Sequence, residues 1–103
     1  MPMNNFLSLM GFAKKAGKLT AGSNAVLRSI LGGKSDLVII TMDAGDSVKE
    51  KFTRICEENE VNVRIYGNSE DISYATGEKN KVIYSIEDYG FARKLVELIM
   101  EVQ

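Results

Sequence analysis

The run Leu37-Val38-Ile39-Ile40-Thr41 is the segment that most restricts how this chain folds. It is unbroken, largely β-branched, and opened by Asp36. A strand that is apolar at successive positions, rather than at alternate ones, needs cover on both faces. The segments around it have the periodicity to supply that cover. Phe6, Leu9, Met10 and Ala13 recur at three- and four-residue spacing, which predicts an amphipathic helix over residues 3–16. Gly17 is placed to end it in a left-handed conformation, with Lys14 and Lys15 favourable in its last turn. Lys18-Leu19-Thr20 has room for only a very short strand. A second helix over residues 24–32 follows, with Val26, Leu27 and Ile30 inward, capping chemistry from Gly22-Ser23-Asn24, and a stop at Gly32-Gly33.

Beyond the central run the alternation continues. Ser47-Val48-Lys49-Glu50 has capping-box spacing and starts a third helix reaching Asn59, with Phe52, Ile55 and Cys56 inward. Val61, Val63 and Ile65 alternate with polar neighbours as in a half-buried strand. Asn68-Ser69 begins a short helix ending near Gly77, and Lys81 to Ile86 reads as a further strand. Asp88 caps a last helix whose stripe is Phe91, Leu95, Leu98, Ile99 and Val102. Helices alternating with strands make an α/β fold, a sandwich with helices on both faces of a small sheet. The only proline is Pro2, and no repeat or linker interrupts residues 1–103, so one domain is expected.

Composition removes several function classes. There is no histidine and one cysteine, so the usual general base, the imidazole ligand and any internal disulfide are missing. No catalytic residue, metal site or cofactor is expected. The first residues lack a basic and apolar leader pattern, and the longest apolar run is far too short to span a bilayer. A cytoplasmic protein without membrane contact is expected.

The net charge is −1, which alone argues against a nucleic-acid partner, but the charge is unevenly distributed. Residues 1–35 carry Lys14, Lys15, Lys18, Arg28 and Lys34 with no acid, a charge of +5, whereas residues 36–103 carry −6. Such asymmetry points to one basic face on an acidic molecule.

Other candidate sites read better as structure. Gly32-Gly33-Lys34-Ser35 resembles the tail of a phosphate-binding loop, but Arg28 stands where that motif needs its first glycine. The tetrad also follows a helix and precedes a strand, the reverse of the required context, although Lys34 remains available to a phosphate. Cys56 reads as an inert core thiol, and Glu57, Glu58 and Glu60 as a solvated helix end. Asp43, just past the central run, is either an acid–base residue or, preferably, an acceptor in the turn before the third helix.

The segment Gly22-Ser23-Asn24-Ala25-Val26-Leu27-Arg28 is different in kind. Asn24 and Arg28 lie about 40° apart on a helix, on the face opposite Val26 and Ile30. That face begins at a helix N-terminus, where free N–H groups and the dipole favour a phosphate. The asparagine amide offers donors and an acceptor, and arginine a fixed fork. On spacing alone, Ser23 or Asn24 serving merely as N-cap is the preferred explanation.

These residues also carry a resemblance. Ala13-Lys14-Lys15-Ala16-Gly17-Lys18 followed by Gly22 looks like one family landmark. Gly33-Lys34-Ser35-Asp36-Leu37-Val38-Ile39-Ile40 with Asp43-Ala44, Cys56-Glu57-Glu58 with Val61, and Ala75-Thr76-Gly77 match others in order and spacing. The chain resembles the kink-turn-binding ribosomal protein superfamily, of seven-Ae and thirty-e type, and within it the small bacterial YlxQ-type members. The resemblance implies a three-layer α/β/α sandwich on a four-stranded mixed sheet, and binding to structured RNA, a kink-turn, with ribosomal RNA among the candidates.

It further implies that Gly22, Ser23, Asn24 and Arg28 enter the RNA groove, and that the loop Gly77–Lys81, with Lys79 and Lys81, meets bulged nucleotides. Lys14, Lys15, Lys18 and Lys34 are expected as phosphate neutralisers. Ala25 stands where kink-turn binders usually carry a glutamate, which removes an acceptor for guanine amino groups. The protein is expected to be a monomer when free. The competing reading is a protein-interaction or regulatory module of the same fold with weakened RNA recognition.

Overall fold

The computed structural model describes residues 2–101. In chain order the elements are α1 (Pro2–Lys15), β1 (Leu19–Ala21), α2 (Ser23–Leu31), β2 (Leu37–Ile40), α3 (Asp46–Glu58), β3 (Val63–Ile65), α4 (Ser69–Thr76), β4 (Ile83–Ile86) and α5 (Tyr89–Glu101). The four strands form one sheet in the order β1-β4-β2-β3. The β1–β4 and β4–β2 pairings are antiparallel and β2–β3 is parallel, so the sheet is mixed. The expected sandwich is the observed one.

The central strand behaves as its composition requires. All four residues of β2 are buried, and the pleat sends them to two different cores. Leu37 and Ile39 join Phe6, Met10 and Ala13 of α1, Ile72 of α4, and Ala92, Leu95 and Ile99 of α5. Val38 and Ile40 join Val26 and Ile30 of α2 with Phe52 and Cys56 of α3. Burial leaves the Cys56 thiol inert, with its pKa pushed up to about 11. Each face of the sheet thus has its own helical layer, and α2 is held on the face opposite α1, α4 and α5.

Three local expectations need correction. Helix α2 begins one residue early: its N-cap is Gly22, at φ 95° and ψ 151°, and no side chain caps it. Neither Ser23 nor Asn24 is spent on capping. Helix α3 also starts before its capping box, with Gly45 as N-cap and no side-chain cap bond. In β3, an edge strand, Ile65 is 46% exposed, so the alternation there marks partial cover only.

Other signals hold. Gly17 takes φ 72°, and the Lys18 amide donates back to Ala13, closing the left-handed helix end. The Asn68 side chain accepts from the Asp71 amide, and Asp88 accepts from the Phe91 amide. Val102, assigned to the last apolar stripe, lies outside the described residues.

Candidate nucleic-acid interface

The start of α2 is fixed by the sheet beneath it. Gly22 closes β1, and its amide donates to the Ile83 carbonyl at 2.9 Å, at the start of β4. The backbone must then turn directly into a helix, which requires the conformation at φ 95° that glycine alone adopts readily. Within α2, Val26 and Ile30 are buried while Ser23, Asn24 and Arg28 are exposed. The expected outward face is therefore present.

Below α2 lies a set of contacts the sequence did not announce. The Ser29 and Ser85 hydroxyls meet at 2.8 Å, and Ser85 donates to Ser35 at 2.7 Å, all three buried. This chain of hydroxyls ties α2 to β4 and to the segment entering β2. Serines at helical or strand spacing carry no pattern that would reveal it.

The loop Gly77–Lys81, the second element expected to contact RNA, folds up beside the start of α2. Gly77 ends α4 at φ 79°, and Asn80 is left-handed at φ 60°. The Tyr84 hydroxyl donates to the Lys81 carbonyl at 3.1 Å. The Lys81 side chain crosses Gly22: a β-carbon there would sit 3.2 Å from its ammonium nitrogen. Between this loop and α4 lies an open hollow of about 530 Å³ lined by Ser69, Glu70, Ser73, Lys79, Asn80, Lys81 and Val82. Ser69 and Ser73 were not singled out from sequence, although their four-residue spacing on α4 would have placed them on one face.

The other candidate lysines divide into two groups. Lys14 and Lys15 line a groove between α1 and α4 near Gly77, and Lys14 is ion-paired with Glu78. Lys18 and Lys34 lie at the other end of β1 and α2. The Lys18 carbonyl accepts from Glu87, and Lys34 follows the C-cap Gly32. The structure thus lays Lys81 against Gly22 at the start of the helix that carries Ser23, Asn24 and Arg28, keeps Lys79 in the adjoining loop beside α4, places Lys14 and Lys15 to one side, and sets Lys18 and Lys34 apart.

Asp43 is a structural acceptor, across a longer span than expected. Its carboxylate accepts from the Ser69 amide at 2.9 Å and the Ser69 hydroxyl at 2.5 Å, joining the turn after β2 to the start of α4. Those bonds hold its pKa down at about 2. This bridge, more than bonds within its own turn, holds the carboxylate.

A mixed four-stranded sheet between two helical layers, with a glycine-started helix beside a basic loop, defines a class of small α/β/α ribosomal-type proteins. The chain belongs to the Ribosomal protein L7Ae/L30e/S12e/Gadd45 family, whose model matches residues 4–96. It is 29% identical over 91 residues to the RNA-binding protein YlxQ of Bacillus subtilis (strain 168), covering 88% of this chain and 91% of the relative. It is 32% identical over 93 residues to the protein of the same name from Enterococcus faecium, covering 90% and 89%. A solved structure of a protein of unknown function from Bacillus halodurans C matches with a TM-score of 0.88 and 35% identity, covering 92% of this chain and 96% of that one. Both of these relatives are named as RNA-binding proteins.

Proposed function

We propose that this chain is a non-catalytic, ribosome-associated RNA-binding protein of the cytoplasm that recognises kink-turn-like RNA through the start of α2. It acts as one domain over residues 1–103 and as a monomer when free. The observation that carries this reading is the electrostatic state of that helix start. Helix α2 has no side-chain cap and no acid in its first turn. The Lys81 ammonium lies against its N-cap glycine and forms no salt bridge among the described residues. A cation at the positive end of a helix dipole is unfavourable until an anion joins both. A backbone phosphate satisfies the free N–H groups and the lysine together.

The rest of the face suits the same ligand. Asn24 offers base-edge hydrogen bonds, Arg28 a fork for phosphate or guanine, and the hollow under Lys79 has room for a bulged nucleotide. Lys14 and Lys15 neutralise nearby phosphates, while Lys18 and Lys34, farther off, meet flanking backbone without reading sequence. Ala25 leaves one guanine contact unmade, so shape dominates recognition. The names of the relatives support RNA as the partner. Asp43 is no rival catalytic centre, because Ser69 occupies both of its oxygens.

The test is a gel shift at two salt concentrations, comparing a kink-turn RNA with the same helix lacking its bulge. Preference for the kinked RNA, weakening steeply with salt, is expected. Equal weak binding to both would overturn kink-turn recognition, and no binding to either would overturn the RNA reading.

A further inference from the structure

We infer that the groove between α1 and α4 is a second RNA contact, which takes an unpaired nucleotide of the strand leaving the Gly77–Lys81 loop. This rests on the RNA-binding reading above but concerns a different face, across α4 from the hollow under Lys79. The groove holds about 870 Å³. Its floor is made by Gly11, where the two helices approach so closely that a β-carbon would lie 2.9 Å from the Ala75 carbonyl oxygen. Two large rings line it, Phe12 from α1 at 59% exposure and Tyr74 from α4 at 84%. A floor that Gly11 keeps low, with an aromatic ring from each helix, suits a planar base, since every base has a face to stack.

Charge sets the direction. Lys14 and Lys15 stand toward the Gly77 end, where α4 runs into the loop, and Glu70 and Asp71 stand at the opposite end of α4. An anionic strand therefore enters from the loop side and is stopped by the carboxylates, which limits the site to a short stretch. Lys15 is exposed and free of salt bridges among the described residues, while Lys14 is shared with Glu78. A phosphate beside Lys15 leaves the attached base over Phe12 and Tyr74. The groove is thus continuous with the proposed interface through Gly77, and its basic end is the end nearest that interface.

The experiment compares wild type with the double variant Phe12→Ala, Tyr74→Ala, whose folding is checked by circular dichroism. Each is titrated with a flush-ended kink-turn RNA and with the same RNA carrying a short single-stranded tail on the bulge side. Wild type is expected to bind the tailed RNA about tenfold more tightly, and the double variant to lose that gain while keeping its affinity for the flush RNA. No gain from the tail, with flush RNA still bound, overturns the groove assignment alone and leaves the groove to a protein partner. A gain that survives the double variant, or an equal loss on both RNAs, also overturns it. Failure of wild type to bind either RNA overturns the functional reading and this inference with it.

Discussion

Lys81 and Gly22 are in contact: the lysine ammonium lies 3.2 Å from the point a β-carbon on the glycine would occupy. This joins two elements separated by most of the chain, the start of α2 and the loop after α4. The constraint on the position is its backbone at φ 95° more than this contact, since the flexible end of Lys81 can move aside. Substitution Gly22→Ala combines a backbone at φ 95° with displacement of Lys81. It is expected to cost about 1–3 kcal/mol of stability, read by urea denaturation, and to weaken RNA binding beyond that loss.

Asn24 and Arg28 are exposed and make no side-chain hydrogen bond among the described residues, so truncating them should leave the thermal midpoint unchanged. Arg28→Ala is expected to weaken binding and to lower the slope of log affinity against log salt by about one. Asn24→Ala should reduce the preference for kinked over unkinked RNA while keeping that slope. Fluorescence anisotropy across a salt series separates the two effects.

Ser85 sits between Ser29 and Ser35 in a buried chain of hydroxyls. Ser85→Ala leaves both neighbours without this partner, which is expected to cost about 1–3 kcal/mol. Because the chain anchors α2 to β4, hydrogen exchange should show the amides of α2 losing more protection than those of α5.

The Asp43 carboxylate, held at about pKa 2 by the Ser69 hydroxyl and amide, gives a pH signature. A depressed carboxylate contributes stability that is fully present above its unfolded pKa and is lost as pH falls through the folded value. Asp43→Asn should therefore be less stable than wild type at neutral pH. The difference should shrink between pH 3.8 and about 2, as measured by thermal unfolding over that window.

Cys56 is buried, and its thiol is pushed up to about 11, so little thiolate exists at neutral pH. Alkylation by iodoacetamide at pH 8 is expected only after denaturation. Rapid modification of the native protein would contradict the packing of α3 against β2.

The layers of the fold were legible because they rest on periodicity. Leu37 to Ile40 demanded two covered faces, and the apolar stripes of α1, α2 and α5 supplied them. Helix starts were less legible. Gly22 and Gly45 cap α2 and α3 through backbone geometry alone, while Ser23 and Ser47 advertise side-chain capping that the chain does not use. At the candidate site, Asn24 and Arg28 could be placed from helical spacing. The contact of Lys81 with Gly22, the reach of Asp43 to Ser69 and the split of the lysines between two ends of α2 depend on strand order. Local sequence does not encode that order.

Strand order also dictates when the basic face can exist during synthesis. Among the described residues strand β1 pairs only with β4, which spans Ile83–Ile86, and Gly22 is tied to Ile83 itself. A nascent chain exposes all of its acid-free, positively charged first third long before the segment that organises it has been translated. Until β4 emerges, that third has no sheet edge to dock on and cannot hold α2 in a binding geometry. Selective RNA capture is thereby deferred to the finished chain, and a truncation ending just before residue 83, which holds 11 basic and 10 acidic residues, should bind RNA weakly and with no preference for the kinked form.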